Sequence, residues 1–183
     1  MESMLKEDYL VAIGEAGLDY SHKNHTSALV QEIVFVKQMQ MANRHELPVV
    51  IHFRESYERG LDLMKNTLNR NTPLHIHCFT ENWKTAEDIM QSFPSAYFGF
   101  TGVITYNSAD YIRSVVRKLP IERCLIETDG PFFNVTRSRA IALPQDIPII
   151  GAKIGELKNK SLDFVLESNI SNSKRVYTKF FKK

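Results

Sequence analysis

The stretch VAIGEAGLDY, residues 11–20, joins a short apolar run to two acids and decides how the rest of the chain is interpreted. Its first residues are typical of a buried strand, yet Glu15 stands directly after them, between Gly14 and Ala16. A carboxylate at the end of a buried strand is costly unless another group pairs with it. The sequence therefore predicts a partner for Glu15 elsewhere in the chain.

Five short runs of the sequence are almost continuously apolar, as is typical of strands that are buried on both faces. Helical patterns separate these runs, and alternating strands and helices indicate an α/β fold with a parallel sheet. The runs are VAIG (11–14), PVVIHF (48–53), LHIHCF (74–79), AYFGFTGV (96–103) and CLIETD (124–129).

The helices are predicted from apolar residues that recur at helical spacing. The first is expected to bury a broad face that includes Leu29, Ile33 and Val34. Ser108 is a candidate N-cap for the third helix, and Ser161 supports the start of the last one. The predicted helices cover residues 28–46, 83–93, 109–119, 145–158 and 161–168.

Length and composition describe an ordinary globular chain. Its 183 residues suit one domain, and its 43% hydrophobic and 24% charged residues are usual values. The net charge of +2 tolerates a polyanionic partner without arguing for one. The basic, aromatic stretch KRVYTKFFKK (174–183) is interpreted as a solvated helix end with some packing, and a nucleic-acid contact is the alternative.

The compartment is predicted from what the sequence lacks. Cys78 and Cys124 form no CxxC or disulfide framework, which favours a reducing compartment, the cytoplasm or the nucleus. No apolar run approaches the roughly 20 residues that span a bilayer, so no membrane partner is expected. Residues 1–13 do not have the pattern of a signal peptide.

Polar residues collect where the predicted strands end. The carboxyl ends of parallel strands in an α/β barrel face one side, and active sites collect there. Carboxylates and imidazoles together are a ligand set for zinc, manganese or magnesium, and a carboxylate can bridge two ions. The residues are Glu15, His52 and Arg54, His75 and His77, and Asp129.

The six histidines are not equivalent in this interpretation. His77 lies nearer the end of its predicted strand and is the better ligand, whereas His75 is assigned to the core or to a supporting position. Outside the predicted strands, His22, His25 and His45 lie in a loop or near a helix end and are expected to be solvated.

Five ordered motifs resemble the TatD family of metal-dependent deoxyribonucleases, which belongs to the amidohydrolase-like superfamily. They are IGEAGLDY, LPVVIHFRES, HIHCFT, FGFTGV and LPIERCLIETDGPFF, and the resemblance extends from about residue 10 to about residue 178. The segments YSHKN, HCFT and GFTGVITYNSA are most similar to one animal sub-group of that family.

The resemblance implies a TIM-type (β/α)8 barrel that hydrolyses phosphodiester bonds in nucleic acids with one or two divalent ions. By position, Glu15 is similar to a bridging ligand, and His52 and His77 to ligands of the same ion. Asp129 is similar to a ligand of the other ion and is a candidate general base. Arg54 is a candidate phosphate contact, with a rim salt bridge as the alternative.

The chain departs from the family pattern at its start. Family members begin with a strand that carries a His-x-His pair, followed by two further β/α units. Here five strands are predicted where a barrel needs eight, so residues 1–183 are interpreted as a single, partial TatD-like domain that lacks the first three β/α units. Such a sheet would have exposed edges.

Two other functions stay open on this evidence. A small-molecule hydrolase of the same superfamily would use the same ligand set on an ester, lactone or amide. The other is a truncated, inactive homologue that only binds metal, which would explain why only five of the eight barrel strands are predicted. The oligomeric state is not predicted.

Overall fold

In a computed structural model of the chain, the structure describes residues 9–135 and 141–181. Its five strands form one sheet in the order β1-β2-β3-β4-β5. The pairs β1–β2, β2–β3 and β4–β5 are parallel, which confirms the α/β class and the five predicted strands. The strands are β1 (Ile13–Asp19), β2 (Val49–Arg54), β3 (Leu74–Ile76), β4 (Ala96–Phe100) and β5 (Cys124–Ile126).

The five predicted helices are present, with shifted ends. Two further helices were not predicted as such, α2 (Tyr57–Thr67) and the four-residue α7 (Thr178–Phe181). Helix α2 has a narrow buried stripe of Tyr57, Gly60 and Met64 among polar residues. Ser108 is not a cap, because Ala109 precedes α4. The helices are α1 (Ala28–His45), α2 (Tyr57–Thr67), α3 (Trp83–Ser92), α4 (Asp110–Lys118), α5 (Ile147–Lys158), α6 (Leu162–Val176) and α7 (Thr178–Phe181).

The first strand is longer than predicted. The sequence places Glu15 after a strand that ends at Gly14, whereas β1 continues through Glu15 to Asp19. Glu15 and Asp19 interrupt the apolar residues of this stretch, so the apolar run alone underestimated the length of the strand. Glu15 therefore lies within β1, between residues that pair with β2.

The backbone groups into two compact units. Of the described residues, the first unit comprises 9–77, 88–96 and 174–181. In it, Phe35 of α1 packs edge-on against Phe53 of β2, with ring centroids 5.6 Å apart, and Phe53 in turn meets Tyr57. These contacts hold α1 and the start of α2 against β2.

Helix α1 does not bury the face that the sequence indicates. Leu29, Ile33 and Val34 are each about half exposed or more, whereas Phe35 and Met39 are fully buried. The apolar residues of this helix surround most of its circumference, so periodicity could not show which of them pack on the sheet. The predicted face was wrong for these three residues.

The second unit comprises residues 78–87, 97–135 and 141–173 of the described part of the chain. Phe79 packs edge-on against Phe98 of β4, with ring centroids 5.0 Å apart. Helix α6 fixes β5 through two amides. Asn169 accepts a hydrogen bond from the Ile126 N–H, and Asn172 donates to the carbonyl oxygen of Cys124. These bonds satisfy backbone groups of β5 that its short ladder leaves over.

Other sequence predictions are met in part. Both cysteines are free thiols, Cys78 half-buried and Cys124 buried. His22, His25 and His45 are exposed and His75 is buried, as expected. Over residues 9–135 and 141–181, no helix combines the length and apolar character needed to cross a membrane.

Candidate metal centre

The approach of β1 to β2 places Glu15 and His52 on neighbouring strands. Gly17 and His52 are partners in the parallel register. A methyl group on Gly17 would lie 1.8 Å from the His52 carbonyl oxygen, so only glycine permits this spacing. The close approach brings the end of β1 beside His52.

A β-bulge turns Glu15 toward the histidines. Ile13 pairs with Val49 and Ala16 with Ile51, so two residues of β1 lie opposite one residue of β2. Bulges of this kind break the alternation of side chains and re-aim them. The bulge explains how an acid within a buried strand reaches a polar site.

His77 is fixed by the continuation of β3. Its backbone N–H donates to the Ile51 carbonyl oxygen at 2.9 Å, so His77 extends the β2–β3 ladder beyond the last residue of β3. Its side chain is buried, with 7% exposed. Its ring stacks beside that of His52, with centroids 6.0 Å apart and an angle of 29° between the ring planes.

The carboxylate of Glu15 faces both histidines with different oxygens. Oε2 lies 3.7 Å from Nδ1 of His52, and Oε1 lies 3.9 Å from Nε2 of His77. Each of the three residues offers one ligand atom, and these atoms lie within 4.8 Å of one another. The three side chains thus converge from β1, β2 and the end of β3.

This arrangement fits a divalent ion. Zinc is bound by nitrogen and carboxylate oxygen at about 2.0–2.2 Å, so ligand atoms of one ion lie about 3.4 Å apart. The separations of 3.7 and 3.9 Å require only small side-chain movements to reach that spacing. Two imidazoles and one carboxylate also match the three-ligand count of catalytic sites.

The electrostatics of His52 favour a ligand role. Burial lowers the pKa of its imidazole, the nearby charge of Glu15 opposes this shift, and His77 adds to it. Neutral imidazole is the form that binds metals. Glu15 is 53% exposed, so its carboxylate remains accessible from solvent.

A cleft of about 440 Å³ opens beside the three residues and shares Glu15 and His52 with them. Half-exposed Val30 and Val34 of α1 form an apolar wall, and the amide of Gln38 also lines the cleft. The volume is within the range of small-ligand sites. A molecule in this cleft would contact the candidate metal ligands.

Asp19 holds the loop after β1. Its Oδ1 accepts a hydrogen bond from the Ser21 N–H, and Arg54 lies 3.7 Å from its other oxygen. Burial opposes ionisation, but the Ser21 bonds and the Arg54 charge hold the carboxyl pKa below its usual value. The amide of Gln31 donates to the Asp19 carbonyl oxygen and accepts from its N–H.

The structure also describes contacts of the two other predicted site residues, Arg54 and Asp129. Arg54 is 45% exposed and forms the rim ion pair with Asp19 that the sequence left open as an alternative. Asp129 belongs to the second unit, where its carbonyl oxygen accepts the Phe132 N–H in the turn after β5. In the same unit, Glu127 accepts a hydrogen bond from the Cys78 N–H at 2.5 Å.

Sequence reasoning found Glu15, His52 and His77, which the structure brings together, but it missed two residues that support this unit. Gln31 braces the loop after β1, and Tyr177 hydrogen-bonds to His75. These partnerships join residues 12 and 102 positions apart, and a single sequence carries no signal for either of them.

Two histidines and one carboxylate at one edge of a parallel α/β sheet are a ligand set of the kind that catalytic metal sites use. The family described as TatD related DNase matches residues 1–178, and the chain belongs to this family. The E. coli TatD homologue YJJV superimposes with a TM-score of 0.80 at 27% identity, over 92% of this chain and 64% of that one.

Two relatives place the chain further within the family. It is 35% identical over 178 residues to the human protein named 3'-5' RNA nuclease TATDN2, covering 95% of this chain and 23% of that protein. It is 30% identical over 178 residues to the metal-dependent hydrolase YabD of Bacillus subtilis, covering 97% of this chain and 69% of that protein. The chain therefore spans under a quarter of the human relative.

Proposed function

We propose that the chain carries a metal-dependent nuclease site of the TatD type, which hydrolyses phosphodiester bonds in DNA or RNA. The convergence of Glu15, His52 and His77 is the observation that carries this proposal. The names of two relatives, an RNA nuclease and a metal-dependent hydrolase, support it. As part of the proposal, residues 1–183 act as one partial TatD-like domain.

In this proposal Glu15, His52 and His77 hold one divalent ion, which is Mg²⁺, Mn²⁺ or Zn²⁺. Asp129, with Glu15, binds a second ion, a role that rests on the family resemblance. When bound, such ions supply Lewis acidity that activates water and stabilises a leaving oxygen. The two oxygens of Glu15 face His52 and His77, which supports its role as a ligand of the ion that the two histidines share.

The remaining roles belong to groups that move protons or bind phosphate. Asp129 acts as general base and accepts the proton of the attacking water. Arg54 presents a planar guanidinium to a phosphate oxygen, a geometry that favours two parallel hydrogen bonds. Its present partner, Asp19, lies at 3.7 Å, and 45% of the Arg54 side chain is exposed to an incoming strand.

The test measures cleavage of end-labelled single-stranded RNA, single-stranded DNA and duplex DNA by the purified chain with Mg²⁺, Mn²⁺ or Zn²⁺. We expect metal-dependent cleavage that His52→Ala lowers by more than about 100-fold, because even outer-shell partners of metal ligands cost about 10–100-fold. His22→Ala is the matched control, since His22 is exposed and lies outside the cluster.

Two results would reject the proposal. One is the absence of cleavage of all three substrates with all three metals. The other is turnover of esters, lactones or amides without phosphodiester cleavage, which would assign the site to a small-molecule hydrolase.

A further inference from the structure

The C-terminal segment of the first unit is tied to the chain two residues before His77. Tyr177, between the end of α6 and the start of α7, has its Oη 2.6 Å from Nδ1 of His75. The two rings also meet near their edges, with centroids 6.2 Å apart and planes at 75°. The contact joins residues 102 positions apart in the sequence.

His75 in turn packs against a candidate metal ligand. Its ring centroid lies 6.3 Å from that of His77, and the ring planes are at 76°. Both residues are buried, with 8% and 7% of their surface exposed. His75 therefore forms a wall beside the imidazole whose Nε2 faces Glu15.

We infer that Tyr177 is a positioning residue for the metal ligand His77 and acts through His75. A hydrogen bond to one ring nitrogen selects a tautomer of a neutral imidazole and fixes the orientation of its ring. With the ring of His75 held in place, the ring of His77 has one direction in which to pack. The inference rests on the proposed metal site and adds a residue that no ligand motif contains.

The first test removes only the phenolic oxygen. Tyr177→Phe and the parent chain are titrated with Mn²⁺ and with Zn²⁺ by calorimetry. We expect the dissociation constant to rise about 10-fold in the variant, the lower end of the effect of losing an outer-shell partner. Tyr57→Phe is the matched control, because Tyr57 is more deeply buried than Tyr177 but packs on Phe53, and the metal affinity of this variant should equal that of the parent.

The second test examines the metal-free protein, so that a general loss of stability cannot imitate the result. Nitrogen-15 spectra of the histidine rings should show one dominant neutral tautomer for His75 in the parent and a mixture in Tyr177→Phe.

A third test measures metal affinity in a His75→Phe background. There, Tyr177→Phe should cause no further loss of metal affinity, because a positioning effect that passes through His75 is then already absent.

The outcomes separate this inference from the proposed function. If the parent chain binds neither ion, both are rejected. If the parent binds metal and Tyr177→Phe binds it equally well, the positioning role alone is rejected. If Tyr177→Phe lowers the metal affinity equally in the parent and in the His75→Phe background, the positioning role is also rejected, since Tyr177 would then act by another route.

Discussion

Gly17 and His52 face each other across the β1–β2 pair so closely that a single methyl group on Gly17 would lie 1.8 Å from the His52 carbonyl oxygen. The neighbour is backbone, which cannot rotate away as a side chain does. The spacing of the two strands, and with it the position of His52 relative to Glu15, depends on this glycine.

Gly17→Ala is therefore expected to destabilise the protein by about 1–3 kcal/mol, the usual cost of forcing extra volume into a packed site. Urea denaturation gives the free energy of unfolding. Gly151→Ala is the control. Its added methyl group would meet only the ends of the Leu162, Leu166 and Ile126 side chains, and alanine gains about 0.5–1 kcal/mol in a helix interior. Equal stability of Gly17→Ala and the parent would contradict the close approach.

Added metal is expected to stabilise the chain through the three-residue cluster. A ligand at about 100 times its dissociation constant adds about 2.7 kcal/mol to the free energy of unfolding. Thermal melts with and without Mn²⁺ or Zn²⁺ measure the shift. His77→Ala should abolish it and His25→Ala should preserve it, because His25 is exposed. Two separate transitions in the parent would count against a single domain.

Tyr20 is expected to titrate late. Its hydroxyl donates to Glu32 at 2.8 Å, and burial, this bond and the charge of Glu32 raise its pKa to about 12. The unfolded phenol ionises near pH 10, so the contribution of Tyr20 to stability is complete below that pH and is lost as the pH rises toward 12. Glu32→Gln should bring the titration down.

The measurement is the difference in tyrosinate absorbance between the parent and Tyr20→Phe across this pH range. The subtraction isolates one of the seven tyrosines. A difference curve with its midpoint near pH 10 in the folded protein would show that the Tyr20–Glu32 bond does not form.

The two cysteines are expected to differ in reactivity. Burial raises the pKa of the Cys124 thiol to about 12, although the nearby Lys158 opposes the shift, whereas Cys78 is only half-buried. Because the thiolate is the reactive form, iodoacetamide at pH 8 should modify Cys78 and spare Cys124 in the folded chain. Mass spectrometry of the peptides locates the label, and equal labelling before unfolding would refute the assignment.

Much of the fold follows from local pattern. The runs at 48–53 and 124–129 predicted β2 and β5 because both are almost continuously apolar, although only β5 is buried throughout and β2 alternates between buried and partly exposed residues. The same criterion shortened β1, since Glu15 and Asp19 interrupt its apolar character. Helix α2 was missed because its buried stripe consists of only three residues, Tyr57, Gly60 and Met64.

The candidate site was predictable to the extent that strand ends share one edge of a parallel sheet. This placed Glu15, His52 and His77 together from the sequence alone. The bulge that aims Glu15 was not predictable, because it depends on pairing with β2. The buried face of α1 was not predictable either, because apolar residues such as Leu29 occur all around the helix and only the packing of Phe35 and Met39 selects the inner side.

The side chain of Gln31 imitates a neighbouring strand. Its amide satisfies both the N–H and the carbonyl oxygen of Asp19, at 2.8 and 2.9 Å, as a residue in a ladder would. Asp19 also pairs with Arg54 on its other side, and β1 is the first strand in the sheet order. The backbone groups of Asp19, the last residue of β1, are therefore already hydrogen-bonded and are not available to a strand of another molecule. Edge-to-edge association along β1 would have to end at Leu18.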